Sequence, residues 1–562
     1  MDRSIARHAA QMAMVSTLFA CGAEPAKAPA AGAADAAADG VVPLDGAVRA
    51  ADAQADVAGP DVFNHAKVYV ADPLTDQKTT SLVTLATPTD PSGKLTGAFV
   101  EVRNCLPEPG GEAIKRGGFQ IGSLCKEVQT VQPGADGSYL HVVPPALDKD
   151  NSDAFAEVMM YHHVNVMHAY FKDKFGLDAL DFPLYALVNV NIHVPMLGGW
   201  QGFPNAAFMP KEAFAQFNLP PRDKGAIVFG QYQDTDFSYD ASVIYHEYTH
   251  AMIGTTRLLG VLVDPYGLDN LPGAMNEGFA DYFSASLRNS PIIGPYALGF
   301  AGEHLKRDLS LPRKCPDDLY TEIHADGKII GSAMWTLRNQ LGADVADGII
   351  LKALQQFSMQ TNMEAAAKLI VAEAKKASED AGAKTKEALT DHGMLGCVRA
   401  KKLVDFEVSK SADKVPYAIE SKDQTGPNLK LPDGVPGYVQ FFVDVPAGAK
   451  VLQIRWKAES AGGGFGGFGG GAAPDVGLGL NKGKPAQINL FDGGSAIVTA
   501  KVAGANGGGG AQVATLTGNC LNPGGKLYVM LLNKGGKASV TEISAKVLND
   551  AAGQVGVTDC TK

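Results

Sequence analysis

Apolar and polar positions change their period several times along this 562-residue chain. Four short runs rich in β-branched and aromatic residues come first: Lys67–Val70, Ser81–Leu85, Gly97–Arg103 and Ser138–Val143. Turn formers separate them, notably Asp90-Pro91-Ser92-Gly93 and Gly134-Ala135-Asp136-Gly137. The pattern predicts a small β module. The period then lengthens. Phe155, Met159, His163, Val166 and Tyr170 recur near one helical face, behind the capping group Asn151-Ser152-Asp153. Leu184–Ile192 and Ala226–Phe229 read as buried strands, and residues 240–380 as mainly helical. After Cys397 the period returns to two. Tyr438–Val445, Val451–Trp456, Ala496–Ala500 and Lys526–Leu532 are predicted strands. They fit a β-sandwich of about 150 residues.

These shifts divide the chain into a leader (1–21), an Ala/Pro-rich tether without periodicity (22–58), a β-rich N-terminal module (59–148), a mainly helical domain with an edge-stranded sheet (149–402) and the C-terminal sandwich (403–562). The fold class is multidomain α+β. The first module's place before the helical domain fits a prosegment or an accessory domain. Gly462–Gly471 has no P-loop Lys-Ser/Thr and reads as a loop.

Composition narrows the partners. The net charge of −11, with no dense Lys/Arg stripe, argues against nucleic acid. Arg3 and Arg7 precede an apolar stretch, Ala9–Ala20, too short to span a bilayer as a mature helix. It ends in Leu18-Phe19-Ala20-Cys21-Gly22, which resembles a bacterial lipobox. That resemblance implies a lipid on Cys21, and Gly22 in place of Asp implies the outer membrane of a Gram-negative-type bacterium. The alternative is an ordinary secretory signal with an incidental Cys. On either reading the chain is exported, and any membrane contact is through the N-terminal lipid. The other cysteines, Cys105, Cys125, Cys315, Cys397, Cys520 and Cys560, allow fifteen pairings. Neighbouring pairs are the simplest arrangement in an exported protein. Nothing in the sequence bears on oligomeric state.

The chemistry concentrates in Asp240–Gly254, which contains His246-Glu247-Tyr248-Thr249-His250. Asp240 can cap a helix here and Gly254 can end it. Two histidines four apart then face one side, as two ligands of tetrahedral zinc require. Glu247 sits where a general base for a metal-activated water belongs. Zinc needs a third protein ligand. The metzincin histidine is excluded, because Thr256 and Ile253 occupy its position and that of the accompanying glycine. A later predicted helix, Ala274–Ser286, carries Asn276-Glu277-x-x-x-Asp281. Glu277 can ligate, while Asp281 can accept the free N–H of a ligating imidazole.

Together these motifs resemble the thermolysin and fungalysin group of glutamate zincins. The resemblance covers about residues 150–400 and implies one catalytic zinc held by His246, His250 and Glu277, with Asp281 behind His246. It implies His324, in Glu322–Trp335, as donor to the oxyanion of the transition state. It also implies that Asn205 and Ala206, in Asn205-Ala206-Ala207-Phe208, bind substrate backbone along an edge strand. Tyr266 is the candidate assistant to His324, and Asp317 or Asp318 the candidate orienting acid. Calcium is not supported, since Ser242 and Arg288 stand at two positions where the family has calcium ligands. The C-terminal strands resemble the pre-peptidase C-terminal domains of secreted bacterial proteases. The implied activity is endopeptidase hydrolysis of peptide or protein substrates. A zinc aminopeptidase, and an inactive binding protein on the same fold, are the competing readings.

Overall fold

The structure, a computed structural model, describes residues 63–559 apart from internal segments, the longest being 404–416, 420–430 and 461–472. The leader, the tether, Cys21 and Cys560 lie outside the described residues.

Of the runs expected in an N-terminal β module, His65–Val68 and Ser81–Thr84 form a two-stranded sheet of their own, while a third joins the main sheet. β1 (Val100–Leu106) pairs parallel with β3 (Leu184–Val194), and β2 (Lys126–Val128) pairs antiparallel with β1. β5 (Ala226–Tyr232) runs parallel to β3 on its other side, and β4 (Ala206–Met209) lies antiparallel along β5. The sheet has nine described strands, drawn from both sides of the boundary expected at residue 148. One apolar core joins Val68, Tyr69 and Val102 to the helical residues Met159, Tyr248 and Phe283. The boundary expected at residue 148 cuts through this sheet, because β1 is an inner strand whose backbone groups pair with β3 on one side and β2 on the other. Ser138–Val143 forms turns instead of the expected strand. Asp136 accepts hydrogen bonds from the Ser138 N–H and hydroxyl, and Tyr139 donates its hydroxyl to the Gly93 carbonyl.

Helix α1 (Phe155–Phe175) crosses this sheet and is tied to it by a buried carboxylate. Glu157 accepts from the Asn104 side chain and the Thr130 N–H, both at 3.1 Å. His163 and His168 of α1 are packing groups: His163 bridges the Tyr245 hydroxyl and the Tyr69 carbonyl, and His168 stacks on Phe99 and bonds to Asp181.

Three helices follow, α2 (Ala241–Ile253), α3 (Leu271–Arg288) and α4 (Ile323–Leu341), with a hairpin of β6 (Leu262–Asp264) and β7 (Gly267–Asp269) between the first two. Asp240 caps α2 by accepting from the Ser242 N–H at 3.0 Å, and Gly254 ends it at φ +65°. Beyond α4 lie Ala343–Leu354, Met363–Ala377 and Glu379–Asp391, all helical. The C-terminal residues form two facing sheets around Trp456, Leu452 and Leu516. The sandwich starts slightly earlier than residue 403, since Ala400–Lys402 already pairs with Gln440–Phe442. Cys105–Cys125 and Cys315–Cys397 are bonded as neighbouring pairs, and Cys520 is also in a disulfide. Among the described residues no helix is long and apolar enough to cross a membrane.

α3 and α4 approach so closely because glycines face each other. A Cβ on Gly278 would lie 2.6 Å from the Gly327 carbonyl oxygen, and one on Gly327 would lie 3.0 Å from the Ala274 carbonyl oxygen. Gly278 follows Glu277, and Gly327 lies one turn beyond His324, so this contact sets the spacing of two candidate site residues. Gly278→Ala is therefore expected to cost about 1–3 kcal/mol by overpacking. Chemical denaturation checks this, and a loss below about 0.5 kcal/mol would count against so tight a contact.

Candidate metal centre

His246 and His250 project from one face of α2, and Glu277 meets them from α3. Among the described residues these three form the one group of His, Cys, Asp or Glu donors close enough together to hold a metal. All three are buried. The two Nε2 atoms are 2.9 Å apart, and Glu277 Oε2 lies 3.2 Å from one and 3.5 Å from the other. Tetrahedral zinc at ~2.0–2.1 Å from each ligand sets ligand atoms roughly 3.3 Å apart. The observed triangle fits that spacing.

The outer nitrogens explain why the inner ones converge. Asp281 Oδ1 lies 2.8 Å from His246 Nδ1, and Asn276 Oδ1 lies 2.9 Å from His250 Nδ1. Oxygen acceptors at both Nδ1 atoms keep the protons there and leave both Nε2 lone pairs turned inward. Two lone pairs at this separation repel unless a cation or a proton lies between them. Arg307 then fixes Asp281 with a fork, Nε to Oδ2 at 2.7 Å and Nη2 to Oδ1 at 2.8 Å. Burial raises the pKa of Asp281, but the Arg307 and His246 charges outweigh it and hold the carboxyl at about 2. Burial likewise disfavours charge on His246. The Asp281 and Glu277 carboxylates reverse this and raise it to about 9 in the metal-free protein. Glu277 feels a burial penalty too, yet His324, His250 and His246 keep it well below the usual carboxylate range.

The remaining groups close around this triangle. Glu247, next to the first ligand, accepts the Phe208 backbone N–H at 2.7 Å. β4 is thereby pinned beside the metal position. Gly230 donates to the Asn205 carbonyl, so Asn205, Ala207 and Met209 face β5. The period of two turns the backbone groups of Ala206 and Phe208 the other way. His324 stands at the start of α4 with Nε2 3.3 Å from Glu277 Oε2. Its Nδ1 lies 2.7 Å from Glu322 Oε1, and Glu322 also caps α4 by accepting the His324 and Ala325 N–H groups.

Sequence reasoning therefore placed His246, Glu247, His250, Glu277, Asn276, Asp281 and His324 in residues that the fold does bring together. It missed Arg307, which no motif spacing announces. The acid behind His324 lies nearer in the chain than Asp317 or Asp318: it is Glu322. Asp318 instead bonds to Arg313 and to the Lys314 N–H, and Glu322 does the orienting. An acid two residues before the histidine, at a helix cap, was the available signal. Tyr266 sits at the β6–β7 turn, 43% exposed, with its N–H on Asp264. Ser242 and Arg288 serve structure: the Ser242 hydroxyl donates to Asp240, and Arg288 donates to the Ile292 carbonyl.

Residues 143–307 match the family profile described as fungalysin metallopeptidase (M36). The matched stretch includes His246, Glu247, His250, Glu277, Asp281 and Arg307, and stops short of His324. Among solved structures the chain is similar to the precursor of protealysin, a metalloproteinase from Serratia proteamaculans. The identity is 15%, over 56% of this chain and 90% of that one, with a TM-score of 0.35. No curated protein sequence matches the chain.

The Asp281–His246 contact generates a pH dependence. With His246 protonated up to about pH 9 in the metal-free protein, a proton competes with the metal below that pH. Zinc affinity is expected to fall about tenfold per pH unit as pH drops below 9. Asp281→Asn is expected to shift the onset to lower pH and to weaken binding about 10- to 100-fold overall. Competition against a chelator of known proton affinity measures both. An affinity that is flat from pH 9 to 7 would contradict the assignment.

Proposed function

We propose that this metallopeptidase is a zinc-dependent endopeptidase, exported and tethered by a lipid on Cys21. The observation that carries the reading is the placement of Glu247 between the His246–His250–Glu277 triangle and the edge of β4.

Zinc held by His246, His250 and Glu277 would polarise the scissile carbonyl and acidify the attacking water. The residues around it divide the rest of the work. An extended peptide adds to the edge of β4 away from β5, where the backbone groups of Ala206 and the carbonyl of Phe208 point outward, the Phe208 N–H being held by Glu247, with Asn205 at the start of the strand. Glu247 takes the proton of the attacking water and passes it to the leaving amine. The Phe208 N–H fixes the orientation of that carboxylate, and so couples the base to the strand that aligns the substrate. His324 donates from Nε2 to the developing oxyanion, with Glu322 holding its other nitrogen. Tyr266 assists from the β6–β7 turn. Asp281, Arg307 and Asn276 keep the ligating imidazoles in their tautomer.

Export draws support from the leader sequence and from two formed disulfides, which persist in oxidising compartments. The lipid rests on the lipobox-like Leu18–Gly22 segment. Strands β1 and β2, paired into the sheet that carries β4, favour an N-terminal region that stays with the enzyme over one that is cut away.

Glu247→Gln separates binding from chemistry. The variant is expected to keep its zinc and to lose at least a hundredfold in hydrolysis of a peptide blocked at both ends. Equal rates for variant and wild type would refute the mechanism. Activity confined to free N-termini would favour the aminopeptidase reading.

A further inference from the structure

We propose that the C-terminal sandwich is a working part of the catalytic centre, because Arg399 and Lys401 at its entry hold the β6–β7 hairpin and the approach to His324 in place. The inference rests on the endopeptidase reading for its kinetic consequences, though not for its structural ones.

Arg399 immediately precedes the first sandwich strand, and its own carbonyl accepts the Gln440 N–H at 2.9 Å. Its guanidinium spans two units. On the hairpin it donates to Asp264 Oδ2 at 2.7 Å and to the Leu268 carbonyl, and it lies 3.5 Å from Asp269 Oδ1. On the sandwich it donates to the Tyr438 carbonyl at 3.1 Å. Its side chain is only 11% exposed. Asp269 in turn accepts the Leu271 N–H at the start of α3, the helix that carries Glu277. The Arg399 fork therefore fixes both the hairpin and the root of the ligand helix.

The hairpin is held from the other side as well. The Ile488 N–H donates to the Pro265 carbonyl at 2.7 Å. Val261 and Leu268 share an apolar cluster with Leu431, Val435, Ile488 and Met530 of the sandwich. Gly267, at φ +113°, has no room for a side chain, since a Cβ would lie 2.8 Å from Pro436. The hairpin is also tied to the catalytic side. Gly273 of α3 donates to the Gly260 carbonyl, and a Cβ on Gly273 would lie 3.1 Å from the Ile323 side chain, next to His324.

Lys401, two residues after Arg399, grips the second rim. Its Nζ donates to the Leu319 carbonyl at 2.9 Å and lies 4.5 Å from the centre of the Tyr320 ring. Asp326, buried in the first turn of α4, accepts the Tyr320 and Thr321 N–H groups. Glu322 follows directly and orients His324. A shift of Leu319–Thr321 is thus passed to the oxyanion donor through two residues of backbone. The contacts described for Arg399 and Lys401 fall on the hairpin, the sandwich and Leu319–Tyr320. Both are positioning residues for the groups used in the transition state.

The test compares Arg399→Met, Arg399→Lys and Lys401→Met in the full-length, zinc-loaded protein, with two readouts. In hydrolysis of a doubly blocked peptide, Arg399→Met and Lys401→Met are expected to lower kcat roughly ten- to a hundredfold, as small misplacements of catalytic groups do. KM should stay within about twofold, because the loss falls on the transition state. Arg399→Lys keeps the charge without the fork and should recover only part of the rate. In hydrogen exchange, residues 262–269 (Arg399 variants) and 319–324 (Lys401→Met) should lose protection while α2 keeps it and zinc content stays at one per chain. Unchanged exchange in those segments overturns the proposal, whatever the activity. Altered exchange with unchanged kcat also overturns it. If the wild type hydrolyses no peptide, the endopeptidase reading fails, and the exchange pattern alone decides whether the sandwich holds the rims.

Discussion

The structure depends on one crowded point inside the protein, the Oε2 atom of Glu277. Three imidazole Nε2 atoms, of His246, His250 and His324, approach it to 3.2, 3.5 and 3.3 Å. It is buried and lacks a hydrogen-bond partner of good geometry. A carboxylate kept from water is costly unless charge is supplied beside it. The surroundings supply some through the histidines, and their lone pairs point at the space where a cation would supply the rest. Every nearby feature preserves that arrangement. Asp281 and Asn276 set the tautomers, and Arg307 prevents Asp281 from swinging away.

The scaffold explains how residues up to 78 positions apart in the chain, His246 and His324, reach one point. α2 is anchored at its N-terminus by buried Asp240, which also accepts the Tyr296 and Ala297 N–H groups. The Ala241 N–H donates to the Ala71 carbonyl, so the N-terminal region helps seat the helix that carries His246 and His250. α3 and α4 meet glycine to glycine, bringing Glu277 and His324 together. β4 lies on the open side of β5 and is latched to Glu247. The first three constraints bring the candidate metal ligands together; the last holds β4 beside them.

Legibility in the sequence followed the range of each interaction. Contacts within a helical turn or two were readable. Spacings of four put His246 with His250 and Glu277 with Asp281, and caps at Asp240 and Gly254 bounded α2. Buried β-branched runs gave the strands at Leu184 and Ala226. What escaped depends on distant pairing. Nothing local shows that Val100–Leu106 lies parallel to Leu184–Val188, so the N-terminal strands looked like a separate module. Arg307 carries no spacing signature, since its partner lies 26 residues upstream on another element. Glu322 was in view but hidden by its role as a helix cap. The docking of the sandwich onto the β6–β7 hairpin likewise belongs to tertiary packing alone.

The central claim is that two histidines and one glutamate form a zinc site built from nitrogen and oxygen, and X-ray absorption at the zinc edge of the purified protein tests it most directly. The account predicts one zinc per chain in a four-coordinate N/O shell, with two imidazoles at ~2.0–2.1 Å and oxygen donors at ~2.0–2.2 Å. A shell containing sulfur, a shell without imidazole scattering, or a full-length protein that takes up no zinc would contradict it.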